Sequence, residues 1–257
     1  MSWKGIGRLF FAFMTAASMY GGKAEAQDLM KDTRIAFSSN GKIMAIKPDG
    51  TDLETIVEDV PDNDDAISWS PDGRSLLYIA KDKNIRIINI YGDRKITDTG
   101  LNGYYPSWFP DMDDIIYSAS NDSTYNIYRA DTTKFIRTQI TDNRRGVYSV
   151  YPEISPISDR LFYVEGDRLI SAKIDNTDKQ ILVGGSYYLS ISPDGLKLLF
   201  ARYAATTVFR DDLAREIFLY DITDKSIKRL TFSATNSDNA VPIWSPDESH
   251  IAYSFPL

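Results

Sequence analysis

The sequence predicts an all-β fold built from repeated four-stranded sheets, a β-propeller. Two observations lead there. A proline turn returns five times, as Ser70-Pro71-Asp72-Gly73, Phe109-Pro110-Asp111-Met112, Ser155-Pro156-Ile157-Ser158, Ser192-Pro193-Asp194-Gly195 and Ser245-Pro246-Asp247-Glu248. Its prolines lie 39, 46, 37 and 53 residues apart, close to the repeat of about 40–45 residues that makes one propeller blade. Each copy is also flanked by the same kinds of β-rich segment, and no window reads as a long amphipathic helix.

Every repeat follows one order. A short segment comes first: Ile67-Ser68-Trp69, Pro106-Ser107-Trp108, Pro152-Glu153-Ile154, Leu189-Ser190-Ile191 and Pro242-Ile243-Trp244. The turn follows, with residue types suited to type I: Ser or Asp first, Pro fixing φ second, and Gly tolerating positive φ at the end. Three copies carry Met112, Ser158 and Glu248 in place of that glycine, so their turns are expected to be strained or differently shaped.

Next comes a near-continuous apolar run, as in Leu76-Leu77-Tyr78-Ile79, Ile115-Ile116-Tyr117 and Leu161-Phe162-Tyr163-Val164. Such runs suit central strands buried on both faces. A third segment ends in an acidic turn, for example Ile127-Tyr128-Arg129-Ala130-Asp131 and Ile217-Phe218-Leu219-Tyr220-Asp221. The fourth is short and partly polar: Lys95-Ile96-Thr97, Gln139-Ile140-Thr141 and Arg229-Leu230-Thr231. Charge and threonine on a short edge strand protect the rim of a sheet.

Residues 1–26 read as a secretory signal peptide. Lys4 and Arg8 supply a positive start, an apolar stretch runs from Leu9 to about Tyr20, and Ala24-Glu25-Ala26 offers a cleavage site before Gln27. The apolar run is shorter than the roughly 20 residues that span a bilayer. Residues 34–257 form the propeller domain, and no later segment is apolar enough to insert stably in a membrane. With no cysteine there is neither a disulfide nor a lipid-bearing thiol. A periplasmic location is expected. The formal net charge is −7, and −9 without residues 1–26, a balance that repels nucleic acid and anionic lipid.

The repeat resembles that of the TolB-type propeller family. Pro242-Ile243-Trp244-Ser245-Pro246-Asp247 with Ile251-Ala252-Tyr253-Ser254, and Ile35-Ala36-Phe37-Ser38-Ser39 with Pro48-Asp49-Gly50, carry the likeness, which covers almost all of residues 34–257. The resemblance implies a periplasmic, six-bladed propeller, with five blades as the alternative. It does not carry over Tol-Pal membership, because the α/β domain ahead of the TolB propeller has no counterpart here. The N-terminal segment begins as the second strand of a blade, and the C-terminal one stops after a first and second strand. These terminal strands are expected to pair and close the ring.

The segment leading into each innermost strand faces the mouth of the central channel. Tyr104 and Tyr105, Tyr148 and Tyr151, and Tyr187 and Tyr188 hold that place in three blades. Rigid aromatic area with a hydroxyl suits recognition of protein or carbohydrate, although aromatic rings also pack between blades. Asp65, Asp238 and Asn239 occupy similar positions in other repeats, and Glu153 falls where its counterparts are Ser68, Ser107, Ser190 and Ile243. A long insertion from Tyr203 to Arg215 is a second candidate.

No catalytic set stands out. His250 is the only histidine, there is no cysteine nucleophile, and no G-x-S-x-G elbow occurs. Nothing points to a metal or other cofactor. The expectation is a non-enzymatic scaffold that binds an envelope protein or peptide. The alternative is a carbohydrate-binding or carbohydrate-active propeller, a lyase or hydrolase with Glu153 and nearby aspartates.

Overall fold

The computed structural model describes residues 34–58, 60–61, 67–121, 123–205, 213–232 and 240–254, together with the backbone of 10–14. Five four-stranded antiparallel sheets follow one another along the chain. The first holds β1 (Phe10–Met14), β2 (Arg34–Ser39), β3 (Lys42–Ile46) and β4 (Glu54–Glu58). The second holds β5 (Ile67–Trp69), β6 (Ser75–Ile79), β7 (Asn84–Asn89) and β8 (Ile96–Asn102). The third holds β9 (Tyr104–Trp108), β10 (Asp114–Asn121), β11 (Thr124–Asp131) and β12 (Arg137–Gln139). The fourth holds β13 (Ser149–Ile154), β14 (Arg160–Glu165), β15 (Arg168–Lys173) and β16 (Gln180–Gly184). The fifth holds β17 (Ser186–Ile191), β18 (Lys197–Ala205), β19 (Leu213–Asp221) and β20 (Ile227–Arg229). A final pair, β21 (Ala240–Trp244) and β22 (Ile251–Ser254), makes a two-stranded sheet.

The cores lie between sheets, and the apolar runs explain why. A strand sends alternate side chains to opposite faces. Leu76 and Tyr78 of β6 therefore join the first blade, while Leu77 joins the third. Ile115 and Tyr117 of β10 face back and Ile116 faces forward. In β14 Leu161 and Tyr163 face back and Phe162 forward; in β18 Leu198 and Phe200 face back and Leu199 and Ala201 forward. A run buried on both faces needs no polar alternation.

The proline turns are held from within. In the second blade Ser70 Oγ donates to Asp72 Oδ1 (2.6 Å) and accepts from the Ser75 amide (2.9 Å), while the Gly73 amide donates to the Ser70 carbonyl (2.8 Å). The Ser245 turn repeats this with Asp247, the His250 amide and the Glu248 amide. Gly73 and Gly195 have φ of 68° and 71°; where glycine is missing, Met112 and Glu248 still take 65° and 59°. The Ser155 turn is shaped differently: Ser158 Oγ donates to Ser155 Oγ at 2.9 Å.

The short outer strands are pinned by threonine. Thr141 Oγ1 donates to Asn126 Oδ1 (3.1 Å) and accepts from the Ile127 amide (2.8 Å). In the fifth blade Thr231 Oγ1 donates to the fully buried Glu216 and accepts from the Ile217 amide (2.9 Å), and Arg229 Nη2 reaches Glu216 Oε1 at 3.1 Å.

The chain ends depart from expectation. Five complete blades stand among the described residues, the alternative count rather than the favoured six. The terminal strands β2 and β22 do not pair with each other. β2 instead takes β1 on its inner edge, in register from Phe10 opposite Ser38 to Met14 opposite Arg34. The apolar stretch read as part of a signal peptide thus supplies the hydrogen-bonding groups that β2 needs, leaving that edge no opening for β22. β21 packs against β17 on one side and β1 on the other.

Candidate functional site

The innermost strands β5, β9, β13, β17 and β21 contact one another in chain order, so equivalent positions on them meet. Four of these strands carry the same irregularity. The ladder register slips between Tyr104 and Ser107 in β9, Val150 and Glu153 in β13, Tyr187 and Leu189 in β17, and Ala240 and Ile243 in β21. Within these bulges Tyr105, Tyr151, Tyr188 and Val241 take φ of 52°, 55°, 50° and 49°. A side chain with a Cβ disfavours this left-handed region. Proline follows Tyr105, Tyr151 and Val241, and proline by itself steers its predecessor to extended backbone. Bulges that re-aim a side chain recur beside functional sites, as does backbone strain.

The bulges gather the rings. Tyr105 and Tyr151 have centroids 4.1 Å apart, Tyr151 and Tyr188 5.0 Å, and Tyr104 and Tyr105 6.3 Å. The Tyr151 hydroxyl donates to that of Tyr105 at 3.4 Å. Tyr125 of β11 extends the series, 5.6 Å from Tyr104 and 5.4 Å from Tyr148. At the other end Tyr187 meets Tyr203 of β18 at 5.8 Å. The Arg215 guanidinium lies 5.5, 5.3 and 5.1 Å from the centroids of Tyr187, Tyr188 and Tyr203, and Arg215 Nη2 donates to the Tyr203 hydroxyl at 2.9 Å. Eight of the chain's 16 tyrosines form this arc.

None of the eight belongs to the fully buried core, unlike Tyr78, Tyr117 and Tyr163. Tyr148, just before β13, is 43% exposed, and the tyrosines of β9, β13 and β17 are half-buried. Tyr151 and Tyr188 also pack one edge against the cores between blades.

Glu153 lies two residues beyond Tyr151 on β13, and its Oε2 accepts from Ser107 Oγ of β9 at 3.1 Å. Burial pushes its carboxyl up to about 7, opposed only by that hydrogen bond. The arrangement is a band of tyrosine rings and hydroxyls with a half-buried acid on the same strand as Tyr151.

Six of the residues singled out from sequence, Tyr104, Tyr105, Tyr148, Tyr151, Tyr187 and Tyr188, come together, and Glu153 adjoins them. Asp65, Asp238 and Asn239 lie outside the described residues. The segment read as an insertion is a correction in part. β18 and β19 continue as a paired hairpin to Ala205 opposite Leu213, which places Tyr203 opposite Arg215 in regular ladder positions. Sequence reading missed Tyr125 and the stacking role of Arg215, since neither lies near an innermost strand in the chain. Among the described residues no group of three or more His, Cys, Asp or Glu side chains is placed to hold a metal.

No family model matches the chain. A TolB candidate from Agrobacterium tumefaciens superposes with a TM-score of 0.70 at 18% identity, covering 98% of each chain. TolB from Acinetobacter baumannii superposes at 0.63 and 15% identity, over 93% of this chain and 66% of its own.

The fold is a TolB-like β-propeller.

Other propellers share the architecture at greater distance. An oligogalacturonate lyase in complex with manganese matches with a TM-score of 0.58 at 14% identity, over 95% of this chain and 78% of the lyase. In sequence, an uncharacterized protein of Agrobacterium fabrum is 25% identical over 228 residues, 82% of this chain and 75% of that protein. No helix among the described residues is long and apolar enough to cross a membrane.

Proposed function

We propose that this TolB-like propeller is exported to the periplasm and acts there as a non-enzymatic scaffold, binding an extended segment of an envelope protein or peptide across the tyrosine arc. One observation carries the reading: three successive innermost strands adopt a strained bulge at Tyr105, Tyr151 and Tyr188, and the three rings meet. Strain of this kind costs of order 1–3 kcal/mol per residue and persists where the surroundings impose it. Half-buried tyrosines offer large contact area at low entropic cost. The reading takes β21 and β22, which follow β17 around the molecule, as an incomplete sixth blade; removal of residues 1–26 frees the edge of β2 that β1 covers, and that edge then closes the ring.

The test is capture from an envelope extract by the wild type and by a Tyr105→Ala/Tyr151→Ala/Tyr188→Ala variant. A specific partner recovered by the wild type and lost by the folded variant supports the scaffold. Equal recovery removes the arc from the interaction.

A second reading rests on Glu153. A carboxyl with a pKa near 7 has the protonation behaviour of a general acid, and a sugar ring stacks well on tyrosine. That would make the protein a carbohydrate-binding or carbohydrate-active propeller. Turnover of an envelope or plant-type oligosaccharide that disappears in Glu153→Gln would establish this reading over the first.

A further inference from the structure

The arc already holds one cation, and this shows how it treats charge. Arg215 lies within cation–π distance of three rings at the fifth-blade end. Toward the third and fourth blades the rings of Tyr105 and Tyr151 are 4.1 Å apart, with Glu153 on the same strand as Tyr151. Among the described residues no lysine or arginine acts on the Glu153 carboxyl; its one polar partner is the Ser107 hydroxyl. A half-buried carboxylate without a counter-ion is costly, and a ligand cation relieves that cost.

We propose that the Tyr105–Tyr151–Glu153 end of the arc binds the cationic side chain of a peptide, a lysine or arginine, over the ring faces with the Glu153 carboxylate as counter-ion. The inference rests on the peptide-binding reading and names the chemistry that the ligand must carry. Three features converge on it. Ring faces are electronegative and attract ammonium or guanidinium groups. Ser107 Oγ beside the carboxylate, and the Tyr105 and Tyr151 hydroxyls on the same two strands, offer oxygen acceptors to a guanidinium or ammonium donor. The protein's net charge of −7 draws cations toward it over longer range. An anionic ligand would meet the Glu153 carboxylate without a compensating cation beside it.

The experiment uses the purified full chain and nine-residue peptides of Gly and Ser, acetylated and amidated, that differ only at the central residue: Lys, Arg, citrulline, norleucine or Glu. Binding is followed by isothermal titration. Lys and Arg peptides should bind at least tenfold more tightly than citrulline and norleucine. Glu153→Gln, which keeps a side-chain oxygen for Ser107, should abolish the preference without lowering thermal stability. Equal affinity for all five peptides, dependent on Tyr151, would overturn the cation assignment and leave peptide binding standing. Absence of binding by any peptide would overturn it too, while capture of an envelope partner through the three tyrosines would still uphold the parent reading. A preference for Lys and Arg that persists unchanged in Glu153→Gln would remove Glu153 from the site.

Discussion

Tyr105 and Tyr151 are 46 residues apart in sequence, yet the hydroxyl of one donates to the other and their ring centroids are separated by 4.1 Å. Neither contact requires a long side-chain reach. Both residues occupy the same bulge of adjacent innermost strands, at φ of 52° and 55°. The repeat thus converts one local backbone choice into a shared surface.

The bulge strain is measurable. Tyr188→Ala and Tyr188→Gly both remove the ring, but only alanine keeps a Cβ at a φ of 50°. Glycine adopts that conformation freely. The glycine variant should therefore be the more stable by about 1 kcal/mol, read from urea midpoints at constant m-value. Equal stability would mean that the backbone relaxes when the ring is lost.

The proline turns give a matched pair of opposite sign. Met112 stands at φ of 65° with its side chain 37% exposed, so Met112→Gly loses little packing and relieves the backbone. A gain of about 1 kcal/mol is expected, a few degrees in Tm for a domain of this size. At Gly195 the φ of 71° is joined by crowding: an added Cβ would lie 2.7 Å from Ile157 Cγ1 and 3.2 Å from Pro156 Cδ. Gly195→Ala should cost about 2 kcal/mol. Thermal melts of the two variants decide the matter.

The outer strand of the fifth blade depends on a buried charge. Glu216 is fully buried between Arg229 and Thr231. Arg229→Ala removes the cation 3.1 Å from the buried Glu216 carboxylate and should cost about 3 kcal/mol in chemical denaturation. An Arg229→Met/Glu216→Leu double variant should recover most of that loss, because the charge has gone with its partner.

Glu153 predicts a pH dependence. Its folded pKa of about 7 lies above the 4.5 of an unperturbed glutamate, so the folded state holds a proton that the unfolded state has released. Stability contributed by the protonated form is present below 4.5 and declines as pH rises toward 7, by at most about 3 kcal/mol. Glu153→Gln should flatten the stability profile between pH 4.5 and 7 and leave its other features in place. A parallel fall in both proteins would assign the effect elsewhere.

Much of this fold is legible in the sequence because the repeat is local. The Ser-Pro-Asp-Gly turn and the doubly buried run appear within about ten residues of each other, and together they place the innermost strand and hence Tyr105, Tyr151 and Tyr188. The left-handed backbone at those tyrosines is not legible, since tyrosine and the prolines that follow two of them both argue against it. Arg215 looks like a loop residue in the sequence because the β18–β19 hairpin is longer than its counterparts. The role of Phe10–Met14 was hidden for a different reason. A basic start followed by an apolar run has the composition of an export signal, and the same five residues also suit a strand against β2. In a chain cleaved before Gln27, β2 loses that partner; the intact mass of the exported protein decides whether residues 1–26 are removed.

If the tyrosine arc is a contact surface, a crosslinker placed within it captures the partner in the cell. Benzoylphenylalanine replaces Tyr151 in one variant and Tyr91, exposed on a turn of the second blade, in another. A discrete adduct is expected from position 151 and none from position 91. No adduct at 151, or the same products from both positions, would contradict it.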